Sequence, residues 1–552
     1  MNKKKRILVV TESSMIASGF GTYAKELLQR LYDTNKYELA EFACFAHPLT
    51  FNNTKWTIYC NAPVPGGVES QYEQEHNNNP VLQWGLARFE YACLDFQPDI
   101  VITYRDPWMD AYIADSPFLP FFHWVWMPTI DSEPQKTEWL YMFNKCDGLL
   151  AYSEFGIETL KKQTNNRLVP FGCGTPGVDE KEFSMILNQE KHKANMGLPP
   201  DSFIVGTMMR NQKRKMFAEL MRGFSQFLNS TSKEIKEKSY LLIHTSYPER
   251  IGWDITSLMH EFDLNNKLLC TYTCQHCKKY FVSIFRDALT TCKHCNANNA
   301  AVMPGVSNGI DHAELKNIYN CMDLYVQYAI CEGLGMPAVE AAACGIPIAA
   351  IYYSAMKDVV DNVDGFPIAP LLDREMETNA DRSHGNNKEL VKVLLSYSKT
   401  SPEDKIKTRL KTRKKCFARY DWNKTISVWE SYLDSVVLNK QPWNSPQMMR
   451  PVPTDYPKNL DHYGFAEWIC NHVLQDPTYL FNYKMLFMIR SLNLGASFGP
   501  GSMSPCTQHI LYEENKHIGN RRFFFDAVRS GIQKVNPPGF IIEAHNRKIK
   551  SS

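Results

Sequence analysis

Short apolar runs that recur between helical stretches constrain this 552-residue chain more than any other feature. Residues 7–10 (ILVV) contain no polar side chain, which suits a strand covered on both faces, and such strands belong to parallel sheets. Further strands are predicted at 41–45, 100–103, 121–126 and 148–152, alternating with helical sequence at about 22–32 and 81–96. A second series opens at 203–206 (FIVG) and continues through 240–244, 324–328 and 346–351. Alternation of this kind predicts an α/β fold with doubly wound parallel sheets, and the length is too great for one core. Ligands in such sheets sit beyond the carboxyl ends of the strands, which directs attention to Tyr104-Arg105-Asp106, to 127–133 and to Ser153-Glu154.

Composition narrows the class. Hydrophobic residues make up 44% and charged residues 22%, with a formal net charge of +2, so no global attraction to nucleic acid or anionic membrane is expected. Lys3-Lys4-Lys5-Arg6 precedes only four strongly apolar residues, too few for a signal-peptide core, and reads as a solvated lead-in to the first strand. The most apolar segment, 118–130, is interrupted by Pro120, His123 and Pro128, so no transmembrane segment is predicted. The sixteen cysteines are scattered, and the only close pairs have metal-ligand spacing; a soluble protein of the reducing cytoplasm is the expectation. His123, inside an apolar run, reads as a satisfied core histidine.

The strongest single motif is Cys274-x2-Cys277, fourteen intervening residues, then Cys292-x2-Cys295. Two chelating pairs at this spacing supply four thiolates for a closed tetrahedral site, so a structural Zn2+ is predicted. Four protein ligands leave no position for water, which argues against a catalytic role for the metal. Lys278, Lys279, Arg286 and Lys293 lie around the motif and read either as a solvated surface or as a partner-facing one.

The functional reading centres on residues 331–350, CEGLGMPAVEAAACGIPIAA. Pro337 suits the first helical position and Gly345 a left-handed C-terminal cap, which predicts a helix of about two turns. The preceding Glu332-Gly333-Leu334-Gly335-Met336 is a glycine-relieved turn whose amides, with the helix N-terminus, favour an anion such as a diphosphate. Glu332 and Glu340 are eight apart, one in the turn and one in the helix, so each can address a different part of one extended ligand. The same residues also suit a buried capped helix with two incidental glutamates. Upstream, Arg210 and Lys215 stand five apart across a predicted strand-to-helix turn. Gly19-Phe20-Gly21 follows the first strand without a complete dinucleotide or Walker-type fingerprint.

In order and spacing, these motifs resemble the retaining, family-4-like glycosyltransferases (glycosyl transferases group 1) of the GT-B fold. The resemblance covers roughly residues 6–437 apart from the cysteine-rich insert, through Glu332, Gly333, Gly335, Met336, Pro337, Glu340, Ala341 and Gly345. It implies two Rossmann-like domains facing a cleft. Glu332 would contact the transferred sugar and Glu340 the nucleotide ribose, while Arg210 and Lys215 would neutralise the donor diphosphate. It also implies that Gly19 and Gly21 form a loop facing that diphosphate, and that Asp131 lies beside the acceptor, though a turn or capping role suits Asp131 equally. No catalytic metal is implied. The predicted partners are a nucleotide-sugar donor and an unknown hydroxyl acceptor, whether a glycan, a lipid-linked sugar, a small molecule or modified nucleic acid; the enzyme would be a hexosyl- or pentosyltransferase.

The predicted organisation is an acceptor-side domain over 1–185 and a donor-binding domain over 186–437. The latter contains a zinc-ribbon insert at 270–303 and a closing helix at about 405–437. A mainly helical extension of unknown role is predicted over 438–552. A polar, flexible loop is predicted at 375–387. Two rival readings remain: a non-catalytic zinc-ribbon binding protein on a degenerate transferase scaffold, and a glycosyltransferase acting on modified DNA.

Overall fold

The computed structural model describes residues 3–440 apart from 52–53, 68–69, 87, 117, 287–288 and 306–307, and beyond them Trp443 and 541–542. The predicted helical extension over 438–552 therefore lies almost wholly outside the described residues. Packing divides the chain into two units, one of Met1–Pro128, Tyr141–Leu150 and Glu430–Ser552, the other of Thr129–Leu140 and Ala151–Trp429.

The first unit is built on six parallel strands: β1 (Arg6–Glu12), β2 (Glu38–Cys44), β3 (Thr57–Cys60), β4 (Ile100–Thr103), β5 (His123–Trp126) and β6 (Gly148–Leu149). They run β3-β2-β1-β4-β5-β6, and Ile541–Ile542 adds an antiparallel strand beside β3. Ile7, Leu8, Val9 and Val10 are fully buried because β1 is central and covered on both faces, as the unbroken apolar run requires. The helix Gly19–Asp33 starts three residues earlier than its periodicity predicts, since Ser18 Oγ caps it by accepting from the Gly21 amide. The single helix predicted over 81–96 is instead Pro80–Gln83 and Phe89–Phe96, separated by Gly85 at φ +118°. His123 is half-buried and satisfied, its Nε2 lying 2.8 Å from Tyr432 Oη.

The second unit carries β7 (Phe203–Met208), β8 (Ser239–His244), β9 (Leu268–Cys274), β10 (Tyr280–Ile284), β11 (Leu289–Thr290), β12 (Ala301–Val302), β13 (Leu324–Gln327), β14 (Ile348–Ile351) and β15 (Phe366–Ile368). Its parallel core runs β9-β8-β7-β13-β14-β15, and β10 and β12 both pair antiparallel with β9. The helix Phe217–Ser230 buries Phe217, Leu220, Met221, Phe224, Phe227 and Leu228 against this sheet, following the 3.6-residue period of the sequence. Gly206 lets Met322 pack directly on β7, where a Cβ would lie 2.2 Å from the sulfur.

Two expectations are corrected here. The loop predicted at 375–387 is a loop only over 375–380: it connects β16 (Pro370–Arg374) to β17 (Asp381–Gly385) in a hairpin. Its polar side chains pair with one another, Arg374 with Asp381 at 2.9 Å and Arg382 with Glu375 at 2.8 Å. The closing helix predicted at about 405–437 is two, Pro402–Arg419 and Trp422–Ser435; Asn387–Ser398 precedes them, and Ser401-Pro402 caps and starts the first. Among the described residues, no helix is long and apolar enough to cross a membrane.

Candidate functional site

The helix Met336–Ala343 begins on Gly335, whose φ of +85° places it in the left-handed region, and ends ahead of Gly345 at φ +74°. Both glycines therefore meet a backbone need that the sequence had marked. Gly333 answers a different one, since a Cβ there would lie 2.6 Å from Thr129 Cγ2. The turn between β13 and this helix holds Glu332 in place, only 6% exposed. Its carboxylate accepts from Gln327 Nε2 at 2.8 Å and Arg214 Nη1 at 3.1 Å, and pairs with Lys215 Nζ. Its amide donates to Ser354 Oγ at 3.1 Å. Ser354 itself sits at φ +53°, ψ −150°, a conformation that costs a non-glycine residue of order 1–3 kcal/mol and that tends to occur at functional sites.

Lys215 is 7% exposed, and burial, with Arg214 beside it, holds its ammonium well below the usual lysine range. Arg214 also donates to the Cys331 carbonyl at 3.3 Å. Asp131 joins the same cluster: the Cys331 thiol donates to its Oδ2 at 3.1 Å, and Arg382 Nη1 lies 3.3 Å from its Oδ1 and 3.0 Å from Cys331 Sγ. Burial pushes the Cys331 thiol well up, so it stays a neutral donor. Asp131, Lys215 and Glu332 thus converge, linked by side chains at Arg214, Cys331 and Arg382.

Arg210 does not enter this cluster. It is more than half exposed and turns to Glu249, Nε to Oε1 3.5 Å. Glu340 is buried inside the helix and accepts from Tyr319 Oη at 2.6 Å. Met336 and Pro337 form the first turn beside Gly335. Gly19 and Gly21 belong to the first unit; a Cβ at Gly21 would lie 2.3 Å from the Ile16 carbonyl oxygen, whereas Gly19 has open space. Arg105, at the end of β4, is consumed by a fully buried pair with Asp110 at 2.6 Å. Sequence reasoning missed Arg214, Arg382 and Ser354. Arg214 was discoverable as the neighbour of Lys215 in one basic run, but nothing local marked the other two.

The four cysteines also come together. Cys274 ends β9, all four Sγ atoms lie within 4.8 Å of one another, and Cys274–Cys295 and Cys277–Cys292 are each 3.7 Å apart. A tetrahedron with Zn–S arms of roughly 2.3 Å has edges of roughly 3.8 Å, so the donor set fits that ion. Each pair is closed by the same backbone bond: Lys278 N–H donates to the Cys274 carbonyl and Asn296 N–H to the Cys292 carbonyl, both at 3.0 Å. A residue at positive φ follows each, Lys278 at 60° and Asn296 at 56°. His294 Nε2 is occupied by the Tyr280 carbonyl at 3.0 Å and offers no competing ligand.

Known proteins agree with this architecture. The family described as Glycosyl transferases group 1 matches residues 292–380, a stretch that contains both Glu332 and Glu340. No curated protein sequence matches the chain. Among solved structures, sucrose-phosphate synthase from Thermosynechococcus elongatus is 15% identical with a TM-score of 0.51, over 79% of this chain and 100% of that one. HepE from Anabaena in complex with UDP and glucose is 14% identical with a TM-score of 0.53, over 78% of this chain and 100% of its own. Its complex with UDP-glucose gives 14% and 0.52 over the same shares. At such identities the likeness establishes the fold, a parallel-sheet α/β architecture with GT-B neighbours.

Proposed function

We propose that this chain is a retaining glycosyltransferase of the family-4 type, moving a hexosyl or pentosyl group from a nucleoside-diphosphate sugar to a hydroxyl acceptor. The observation that carries the reading is the buried Glu332 carboxylate, held by Lys215, Arg214 and Gln327 at the glycine-relieved start of the helix that contains Glu340. UDP, glucose and UDP-glucose in the HepE structures support the donor class. In this reading residues 186–437 bind the donor and 1–185 serve the acceptor.

The chemistry is mainly electrostatic. As the glycosidic bond breaks, negative charge develops on the leaving diphosphate, and Lys215, with the amides near the start of Met336–Ala343, stabilises it. Arg210 adds charge from the rim and Arg214 from beside Glu332. Glu332 orients the sugar so that the acceptor oxygen attacks from the face the leaving group departs; a leaving-phosphate oxygen takes the acceptor proton. Asp131, fixed by Cys331 and Arg382, orients the acceptor. Cys274, Cys277, Cys292 and Cys295 hold a structural zinc, which takes no part in transfer.

Steady-state kinetics of two isosteric variants test the assignment, using a panel of UDP-, ADP- and GDP-sugars with donor hydrolysis as the readout where no acceptor is known. Glu332→Gln is expected to keep the fold and lose turnover, while Glu340→Gln chiefly raises the donor KM. Parental turnover in Glu332→Gln, or no donor-dependent turnover in the parent with any member of the panel, would overturn the reading.

A further inference from the structure

The four-cysteine ribbon is an extension of the sheet that carries the candidate site. β9 pairs in parallel with β8 through Leu241–Leu268 to Ile243–Cys270, then runs on to Cys274. β10 returns antiparallel along β9, from Tyr280 opposite Thr273 to Ile284 opposite Leu269. It delivers Phe285, 1% exposed, whose amide is fixed to the Leu268 carbonyl at 2.8 Å. The Phe285 ring meets Tyr247 edge-on, with centroids 5.9 Å apart at 70°.

Tyr247 belongs to the loop after β8, at the carboxyl edge of the sheet. Its hydroxyl lies 3.0 Å from both Asp254 Oδ1 and Thr256 Oγ1, which fixes the ring against the far end of the loop. Ser246 Oγ donates to Glu249 Oε1 at 2.7 Å, and the same oxygen faces Arg210. Trp253 exchanges two hydrogen bonds with the Asn211 side chain, at 2.8 and 2.9 Å, and its indole donates to the Gln212 carbonyl at 3.2 Å. Residues 245–254 are thereby laced to 210–215, the segment that ends in Arg214 and Lys215 on Glu332. Contacts therefore run unbroken from the ribbon's returning strand to the site's cations.

We infer that the metal-bound ribbon is a brace for donor binding: it sets the loop 245–254 through the Phe285–Tyr247 contact, and through that loop it positions Arg210 and the segment bearing Lys215. Phe285 and Tyr247 are positioning residues, since neither need touch the donor. This inference rests on the donor-site and zinc readings above. A ribbon that merely capped the sheet edge would leave nucleotide affinity unaffected by truncation at that contact.

The test is calorimetric binding of UDP, with ADP and GDP in parallel, to the zinc-loaded full chain and to Phe285→Ala, Phe285→Leu and Tyr247→Leu, with zinc content and far-UV circular dichroism measured on each. Removing an edge-on aromatic contact is expected to raise the nucleotide Kd about three- to tenfold in Phe285→Ala and Tyr247→Leu at unchanged zinc content, with partial recovery in Phe285→Leu. Should Phe285→Ala fail to fold, Phe285→Leu, which leaves the Tyr247 hydroxyl bonds to Asp254 and Thr256 in place, reads the same contact. Unchanged Kd in the folded, zinc-loaded variants would sink the brace and leave the donor site standing. Failure of the parent to bind any of the three nucleotides would instead remove the donor reading, and the brace with it.

Discussion

Breaking the Lys215–Glu332 pair from either side should cost unequal amounts, and the double variant should cost less than the two together. Both residues are buried, so an orphaned charge would be expensive, with about 3–5 kcal/mol typical for one partner of a buried pair. The surroundings moderate this. After Lys215→Met, Glu332 keeps Arg214 and Gln327 as donors, so the loss is near that of one charge-assisted hydrogen bond, about 2 kcal/mol. Glu332→Gln removes the charge that three donors share. Lys215 is then left buried without its carboxylate partner, at a cost of about 3–5 kcal/mol. Lys215→Met with Glu332→Gln leaves neither charge stranded, and a coupling of about 1.5–3 kcal/mol is expected from the cycle. Urea unfolding of the four proteins at pH 7 measures it. Additivity within about 0.5 kcal/mol would mean that the two side chains do not act as a pair in solution, and the electrostatic core of the site would have to be redrawn.

Two further outcomes are expected. Burial raises the Asp358 carboxyl to about 6, above its unfolded value, while the Phe155 amide donates to it at 2.8 Å. The stability this group contributes is complete below the unfolded pKa and is lost as pH rises through about 6; Asp358→Asn should therefore melt higher than the parent at pH 7, by up to about 2 kcal/mol, and match it near pH 4. An equal difference at both values would contradict that assignment. Metal analysis of the purified chain should find about one zinc, and Cys277→Ser should lose it together with several degrees of Tm. A parent without zinc, or a Cys277→Ser variant of undiminished stability, would show that the four thiols are not a metal site.

What the sequence disclosed was whatever is encoded by neighbours along the chain. The Ile7–Val10 run signalled a central strand because burial on both faces leaves no room for alternation. Glu332, Gly335, Pro337, Glu340 and Gly345 could be read because turn, helix start and cap succeed one another within fourteen residues. Spacing also found Lys215, but it gave Arg210 the same standing, and a carboxylate on a different loop, Glu249, turns that side chain elsewhere. Arg382 was hidden for a related reason. Residues 375–387 look like solvated loop by composition, and the ladder between β16 and β17, with the Arg374–Asp381 and Arg382–Glu375 pairs, builds a hairpin that delivers a guanidinium to Asp131. The strained backbone of Ser354 leaves no mark at all in a Tyr-Tyr-Ser-Ala sequence.

The cysteine cluster has an electrical consequence for its surroundings. With zinc bound, four thiolates around a dication leave two net negative charges at the edge of the sheet. Lys278 and Lys279 follow one cysteine pair directly, and Lys293 lies inside the other, its ammonium 3.1 Å from the Val282 carbonyl and 5.8 Å from the Phe281 ring. Were zinc bound, these lysines would be the cations closest in sequence to that negative core. Its charge would then offset part of the positive charge that Lys278, Lys279, Arg286 and Lys293 give this stretch, and so weaken the attraction a polyanion such as DNA would feel there.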